Sequence, residues 1–216
     1  MPVSVYIETS ITSYLTSRPS RDVVIAARQA ITSEWWHNQR PKYEAYISAL
    51  VDEEISEGDA TAAALRQQAV AGIPSVATTP AAIELAQRLL ATKAVPANSV
   101  EDALHIAIAA TQGAEFLLTW NFKHINNAET RAALPVLSRP LATFAPSCVL
   151  PKNLEVSPMM NDPIVEEVRR NRQAHAARYN NDLAAICKAL KAREASSGRI
   201  VVNRPPRLLP HSGAHS

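Results

Sequence analysis

Short apolar runs alternate with helically spaced ones over the first 150 residues. Residues 3–7, Val-Ser-Val-Tyr-Ile, are rich in β-branched and aromatic side chains and predict a strand. Residues 9–15 predict a helix entered through Thr9 or Ser10, and Arg18-Pro19-Ser20-Arg21 breaks it. Val23, Ala26, Ala27, Ala30 and Ile31 recur at helical steps and predict a helix over 22–36, with Asp22 as its N-cap. Residues 43–51 predict the second strand, closed by Asp52-Glu53-Glu54-Ile55. Ala-rich residues 61–70 predict a helix and 75–78 a weak strand, and Thr79-Pro80 opens a helix to about Leu90. Residues 99–112 carry the strongest helical signal, with Gly113 as its stop. Residues 116–120 read as a buried strand, and 141–149 add a last short one. This alternation predicts βαβ units, hence an α/β fold with a central parallel sheet between helical layers.

The pattern changes near residue 150. Residues 146–158 hold three prolines and read as a linker. Asp162-Pro163 is a helix start, after which Ile164, Val168, Tyr179, Leu183, Ile186 and Leu190 recur at roughly helical steps. This predicts either one long amphipathic helix or two broken near Asn180-Asn181. Arg204-Pro205-Pro206-Arg207-Leu208-Leu209-Pro210 predicts an extended end. The chain therefore divides into residues 1–150 and an extension over 151–216.

Charge sharpens that division. Residues 1–150 hold 11 Lys/Arg against 14 Asp/Glu, whereas 151–216 hold 11 against 6. An acidic body and a basic tail can attract one another or different partners. Two cysteines, Cys148 and Cys187, lie far apart, form no zinc-type spacing and fit a reducing compartment. The N-terminus has no leader pattern and no stretch of about 18 apolar residues occurs, so a cytoplasmic protein with no membrane association is expected.

Candidate chemistry gathers at the ends of the predicted strands, where open α/β sheets bind ligands. Glu8 follows the first strand, Glu53 and Glu54 follow the second, Asp102 opens the strongest helix and Asn121 follows the 116–120 strand. Converging carboxylates repel unless they take up protons or a cation. Hard Mg²⁺ or Mn²⁺ with oxygen ligands resolves that repulsion. Each residue also has a plainer reading: Glu8 as a helix cap, Glu53 and Glu54 as a solvated face, Asp102 as a first-turn acid, Asn121 as a turn residue, and His105 and His124 as structural hydrogen-bonders.

Taken together, four segments resemble the motifs of the PIN-domain family, in family order. They are Tyr6-Ile7-Glu8-Thr9-Ser10, Glu54-Ile55-Ser56-Glu57-Gly58-Asp59, Glu101-Asp102-Ala103-Leu104-His105-Ile106-Ala107, and Leu117-Leu118-Thr119-Trp120-Asn121-Phe122-Lys123-His124. The resemblance covers about residues 3–148 and is closest to the toxin nucleases of bacterial VapBC-type toxin–antitoxin pairs. It implies a three-layer α/β/α domain and a Mg²⁺- or Mn²⁺-dependent ribonuclease, often dimeric. Carried over by position, Glu8, Glu54 and Asp102 are metal ligands and Asn121 completes the catalytic set. Thr9, Ser10 and Thr119 orient water or phosphate, and Lys123 or His124 assists the leaving oxygen. Two positions depart from the family pattern. Glu8 stands where Asp is usual, and Asn121 stands where a fourth acid is frequent, which removes one charge and predicts weaker metal binding.

The 162–169 segment resembles the short helical proteins encoded beside such toxins, whose arginine can enter the acidic site. Three readings of the tail stay open: an antitoxin-like segment with Arg204 or Arg207 as plug, a basic grip on RNA, or an idle end. The rival reading for the whole chain is a PIN-fold RNA- or protein-binding module that no longer cuts. A nucleotide-binding fold lacks its glycine-rich loop, and a serine or cysteine hydrolase lacks its nucleophile motif. Trp35, Trp36 and Trp120 are either base-stacking surfaces or core, with core preferred for Trp120, and the Trp35-Trp36 pair with His37, Asn38, Gln39 and Arg40 reads as an exposed RNA-contacting rim or a dimer seam.

Overall fold

The computed structural model describes residues 2–125, 147–149 and 162–206. It shows an α/β protein with a six-stranded, wholly parallel sheet in the order β5-β4-β1-β2-β3-β6. The strands are β1 (Ser4–Ile7), β2 (Glu44–Ser48), β3 (Ser75–Val76), β4 (Phe116–Leu118), β5 (Ser147–Val149) and β6 (Val201–Val202). The helices are α1 (Thr9–Thr16), α2 (Val23–Glu34), α3 (Ala49–Ile55), α4 (Ala60–Ala69), α5 (Pro80–Ala91), α6 (Val100–Thr111), α7 (Pro163–Arg178) and α8 (Leu183–Ser196). Helices and sheet form a three-layer α/β/α arrangement. β1 lies between β2 and β4, so chain order reverses beside it, and the crevice expected at such a switch point opens where Glu8 leaves the strand.

Local chemistry explains the element ends. Asp22, Asp59, Thr79, Asp162 and Asp182 each cap a helix with a side-chain oxygen. Pro80 and Pro163 stand in the first turns of their helices. Gly113 ends α6 at φ 67°. Asn180 and Asn181, at φ 53° and 57°, separate α7 from α8, so the tail carries two helices rather than one. Asparagine tolerates this left-handed conformation better than most residues.

Two expectations need correction, and one strand was missed. The second strand ends at Ser48 and residues 49–55 are helical, so Glu53 and Glu54 sit in the last turn of α3 rather than on a strand end. The apolar run Ala49-Leu50-Val51 suits either state, and periodicity cannot separate a short buried helix from a strand. Trp35 and Trp36 lie in a π-helical turn that continues α2, and both are buried. They are therefore core residues and not an exposed rim. Val201 and Val202 form a strand that sequence reading did not find, parallel to β3 with Ser75 opposite Val201. The linker over 146–158 lies outside the described residues apart from 147–149, as does the extended end beyond residue 206.

The tail shares the core of the body. Val165, Ala176, Leu183, Ile186, Cys187 and Leu190 are buried in one apolar cluster with Tyr6, Ile11, Leu50, Leu104 and Leu117. α7 packs on α1, α3 and α6, and α8 packs on α3 and α5. Among the described residues no helix is long and apolar enough to cross a membrane.

Candidate functional site

Four elements deliver the polar residues of the crevice. Glu8 leaves β1 and caps α1, its Oε2 accepting from the Ser10 amide at 3.1 Å, from the Ser10 hydroxyl and from Thr119 Oγ1 at 2.8 Å. Glu54 ends α3 and accepts from the Thr9 hydroxyl. Asp102 stands in the first turn of α6, and Asn121 follows β4. The cap weighed for Glu8 from sequence is present, since one carboxylate oxygen caps the helix while the other faces the crevice.

The residue that these acids surround is Arg172 of the tail helix α7. Its Nε donates to Glu54 Oε1 at 2.7 Å, its Nη1 to Asp102 Oδ1 at 2.6 Å, and its Nη2 to Glu54 Oε2 at 2.8 Å and to Glu8 Oε1. Arg172, Glu8, Glu54 and Asp102 are at most 5 % exposed, so the ion pairs form out of reach of bulk water. Burial alone would raise the Glu54 carboxyl. The Arg172 guanidinium, with His105, outweighs it and holds Glu54 well below the usual carboxylate range. Asp102 is likewise lowered by Arg172 and His124 against the opposing effect of burial. Burial penalises the Arg172 charge, but the three acids bind its proton still more firmly. One guanidinium faces three carboxylates, so the cluster keeps an excess of negative charge.

Further groups fix these acids. His105 Nε2 lies 3.0 Å from both Glu54 Oε1 and Arg172 Nη2, and its Nδ1 is 2.9 Å from the Tyr6 hydroxyl, which also bonds Ser48 Oγ at 2.7 Å. Asn121 Nδ2 donates to Asp102 Oδ1 at 3.0 Å, and His124 Nδ1 is 2.9 Å from Asp102 Oδ2. Arg169, one turn before Arg172, donates to Asn121 Oδ1 through Nε at 3.2 Å and Nη2 at 2.7 Å. His175 pairs with buried Glu101, whose carboxyl burial pushes up to about 7.

The donor set suits a hard divalent cation. Ligand atoms of Glu8, Glu54 and His105 lie within 4.8 Å of one another, and Asp102 joins them around the same guanidinium. The carboxylate oxygens are the ligands that Mg²⁺ or Mn²⁺ takes, and the His105 imidazole, hydrogen-bonded to Glu54, orients one of them. Arg172 stands where such an ion would neutralise the acids. A cleft of about 340 Å³ between α1, α4 and α7 reaches Glu54 and is lined by Thr9, Ser13, Thr16, Arg18 and Arg66.

Most residues singled out from sequence meet here. Glu8, Glu54, Asp102 and Asn121 converge, and Thr9, Ser10 and Thr119 serve the acids directly as hydroxyl donors. Glu53 stands apart, paired with Arg193 at 2.6 Å. His124 orients Asp102, while Lys123 is exposed. Arg204 is not the plug: it pairs with Glu44 at 2.9 Å and lies over the Tyr46 ring, at the start of β2 and so at the opposite end of the strand from the acids. Arg207 lies outside the described residues. Sequence reading missed Arg172, although a signal was present. On α7 it falls four residues after Val168 and four before Ala176, an arginine set within the buried stripe of an amphipathic helix.

Comparison of the chain with known protein families, with curated proteins and with solved structures gives no match, so the functional reading rests on this geometry.

Proposed function

We propose that this chain is a PIN-like, metal-dependent endoribonuclease held closed by its own C-terminal segment. One observation carries the reading: three buried carboxylates from three elements at one end of a parallel sheet converge on a single cation that the tail supplies. A purely structural ion pair has no need of three acids around one arginine. Breaking such a pair leaves uncompensated buried charge, so removal of Arg172 creates a strong demand for another cation.

Glu8, Glu54 and Asp102, with His105 beside them, are the residues that would hold Mg²⁺ or Mn²⁺. A cation there supplies Lewis-acid activation of water and neutralises charge developing at phosphorus. The chain's own groups do the rest. Ser10 and Thr119 hold the Glu8 carboxylate in place, Thr9 holds that of Glu54, and Asn121 and His124 hold Asp102. Burial keeps these groups dry and preorganised. The cleft beside α1 and α4 gives an RNA strand access to Glu54, with Arg18 and Arg66 on its wall.

The test uses point variants of the full chain, because the tail contributes to the common core and truncation would expose it. RNA cleavage is followed with Mn²⁺, Mg²⁺ or EDTA for wild type, Arg172→Ala, and Arg172→Ala with Asp102→Asn. The expected result is metal-dependent cutting by Arg172→Ala, weak or absent cutting by wild type, and none by the double variant. Absence of cutting and of metal uptake in a folded Arg172→Ala protein overturns the nuclease. That outcome favours the second reading, a PIN-fold RNA- or protein-binding module, for which the neutral Asn121 in contact with Arg169 is the supporting observation.

A further inference from the structure

The tail enters the body at a second charged contact, away from the acidic centre. Asp162 precedes α7 and is buried. Its Oδ1 caps the helix, accepting from the amides of Ile164 at 3.1 Å and Val165 at 3.2 Å. Its Oδ2 accepts from Arg28 Nη1 and from the Tyr14 hydroxyl. Arg28 is 4 % exposed, and its Nη1 also reaches the Tyr14 hydroxyl at 3.2 Å. Its guanidinium lies over the Trp120 ring, 5.3 Å from the centroid, and Tyr14 packs on the same ring.

Two features mark this as more than a structural ion pair. Among the described residues, Asp162 is the single carboxylate paired with Arg28. Arg28 Nε, though buried, has no hydrogen-bond partner among the described residues. A carboxylate that engages one nitrogen leaves part of the guanidinium fork unused, whereas a tetrahedral oxyanion offers further acceptors. If α7 lifts, Arg28 becomes a buried cation without a counter-ion, which is strongly unfavourable. The body therefore carries an anion seat that stays filled only while the tail is docked. Trp120, the floor of the seat, also donates its backbone N–H to Ser10 Oγ at 2.8 Å, and Ser10 holds Glu8. The seat and the acidic centre are thus linked through Ser10.

We propose that Arg28 and Tyr14 form a phosphate-binding seat for the RNA backbone, and that Asp162 occupies it as a phosphate surrogate while Arg172 occupies the cation site. The assignment of the anion to RNA rests on the nuclease reading. Arg172 lies ten residue steps after the N-cap Asp162, about 15 Å along the axis, so the phosphate held here flanks the one at the acidic centre. The tail then blocks the site at both points with charges that imitate what it excludes.

The experiment is performed in EDTA, so its outcome does not depend on metal binding or cutting. Inorganic phosphate is titrated by calorimetry into the full chain as wild type, Asp162→Ala, Asp162→Asn, and Asp162→Asn with Arg28→Gln. Asp162→Asn keeps a capping oxygen, and carries the test if Asp162→Ala does not fold. Phosphate binding at least tenfold tighter in the Asp162 variants than in wild type, lost again with Arg28→Gln, is the expected result. Equal binding in wild type and folded Asp162 variants overturns the seat. A short single-stranded RNA then competes with phosphate if the seat serves the backbone. Phosphate binding that RNA does not displace overturns the RNA assignment and points to a small phosphorylated ligand.

Discussion

Replacing Arg172 by alanine removes the cation that Glu8, Glu54 and Asp102 share, and leaves the three acids buried with no guanidinium between them. Removing one partner of a buried ion pair costs about 3–5 kcal/mol. For a chain of 150–250 residues, 1 kcal/mol corresponds to about 2–4 °C in Tm, so a fall of about 6–20 °C is expected in EDTA. Proton uptake by Glu54 or Asp102 relieves part of this and places the result toward the lower end. The same vacancy makes the variant responsive to metal. A divalent ion at 100 times its Kd returns about 2.7 kcal/mol, roughly 5–11 °C. Thermal unfolding of wild type and Arg172→Ala, each with EDTA and with Mn²⁺, therefore separates the two proteins twice. Wild type melts high and ignores Mn²⁺, whereas the variant melts low and recovers with it. A variant that melts like wild type in EDTA and gains nothing from Mn²⁺ refutes the argument that the three acids form one cation site.

Asn121→Asp in the Arg172→Ala background adds a fourth carboxylate beside Asp102 and is expected to tighten Mn²⁺ binding several-fold, read by calorimetry; unchanged or weaker binding places Asn121 outside the cation site. Glu54 and Asp102 have lowered folded values, so their contribution to stability is complete above the ordinary carboxylate range, about pH 4, and is lost as pH falls through the lowered values. Denaturant unfolding should thus show wild type losing stability below about pH 4 more steeply than Arg172→Ala, and parallel profiles would contradict the assignment. Gly58 closes the turn before α4 at φ +83°, where an added Cβ meets ordinary contact distances of 3.7 and 3.8 Å. Gly58→Ala should therefore cost about 1–2 kcal/mol from backbone strain alone, measured by chemical denaturation, with little effect on metal uptake by the Arg172→Ala protein.

Much of the site was legible because its parts are written locally. A strand that ends in Glu8 and passes at once into a helix, an acid in the first turn of α6, and Thr119 and Asn121 behind a buried strand are short-range patterns. The parallel sheet then had to bring them to one end. Glu54 reaches the acidic cluster although its segment is helical, because the last turn of α3 carries it to the same end of the sheet. The exposed-rim reading of Trp35 and Trp36 came from the polar residues that follow them, which say nothing about where a π-helical turn directs two indoles.

The tail marks the limit of such reading. Its basic charge and its helix start at Asp162 are properties of the sequence, and so is the attraction to an acidic body. Which arginine enters the crevice is not, because every tail arginine carries the same charge and differs only in where docking puts it. The buried Asp162–Arg28 pair sets where α7 begins, and Val165, Val168 and Ala176 fix the face it turns inward. Those contacts bring Arg172 to the acids and leave Arg204 beside Glu44. The sequence by itself determined the acids, several helix starts and the sign of the charge that would cover them. The partner of those acids was decided by the tertiary structure, since it depends on contacts between residues 70 to 164 positions apart.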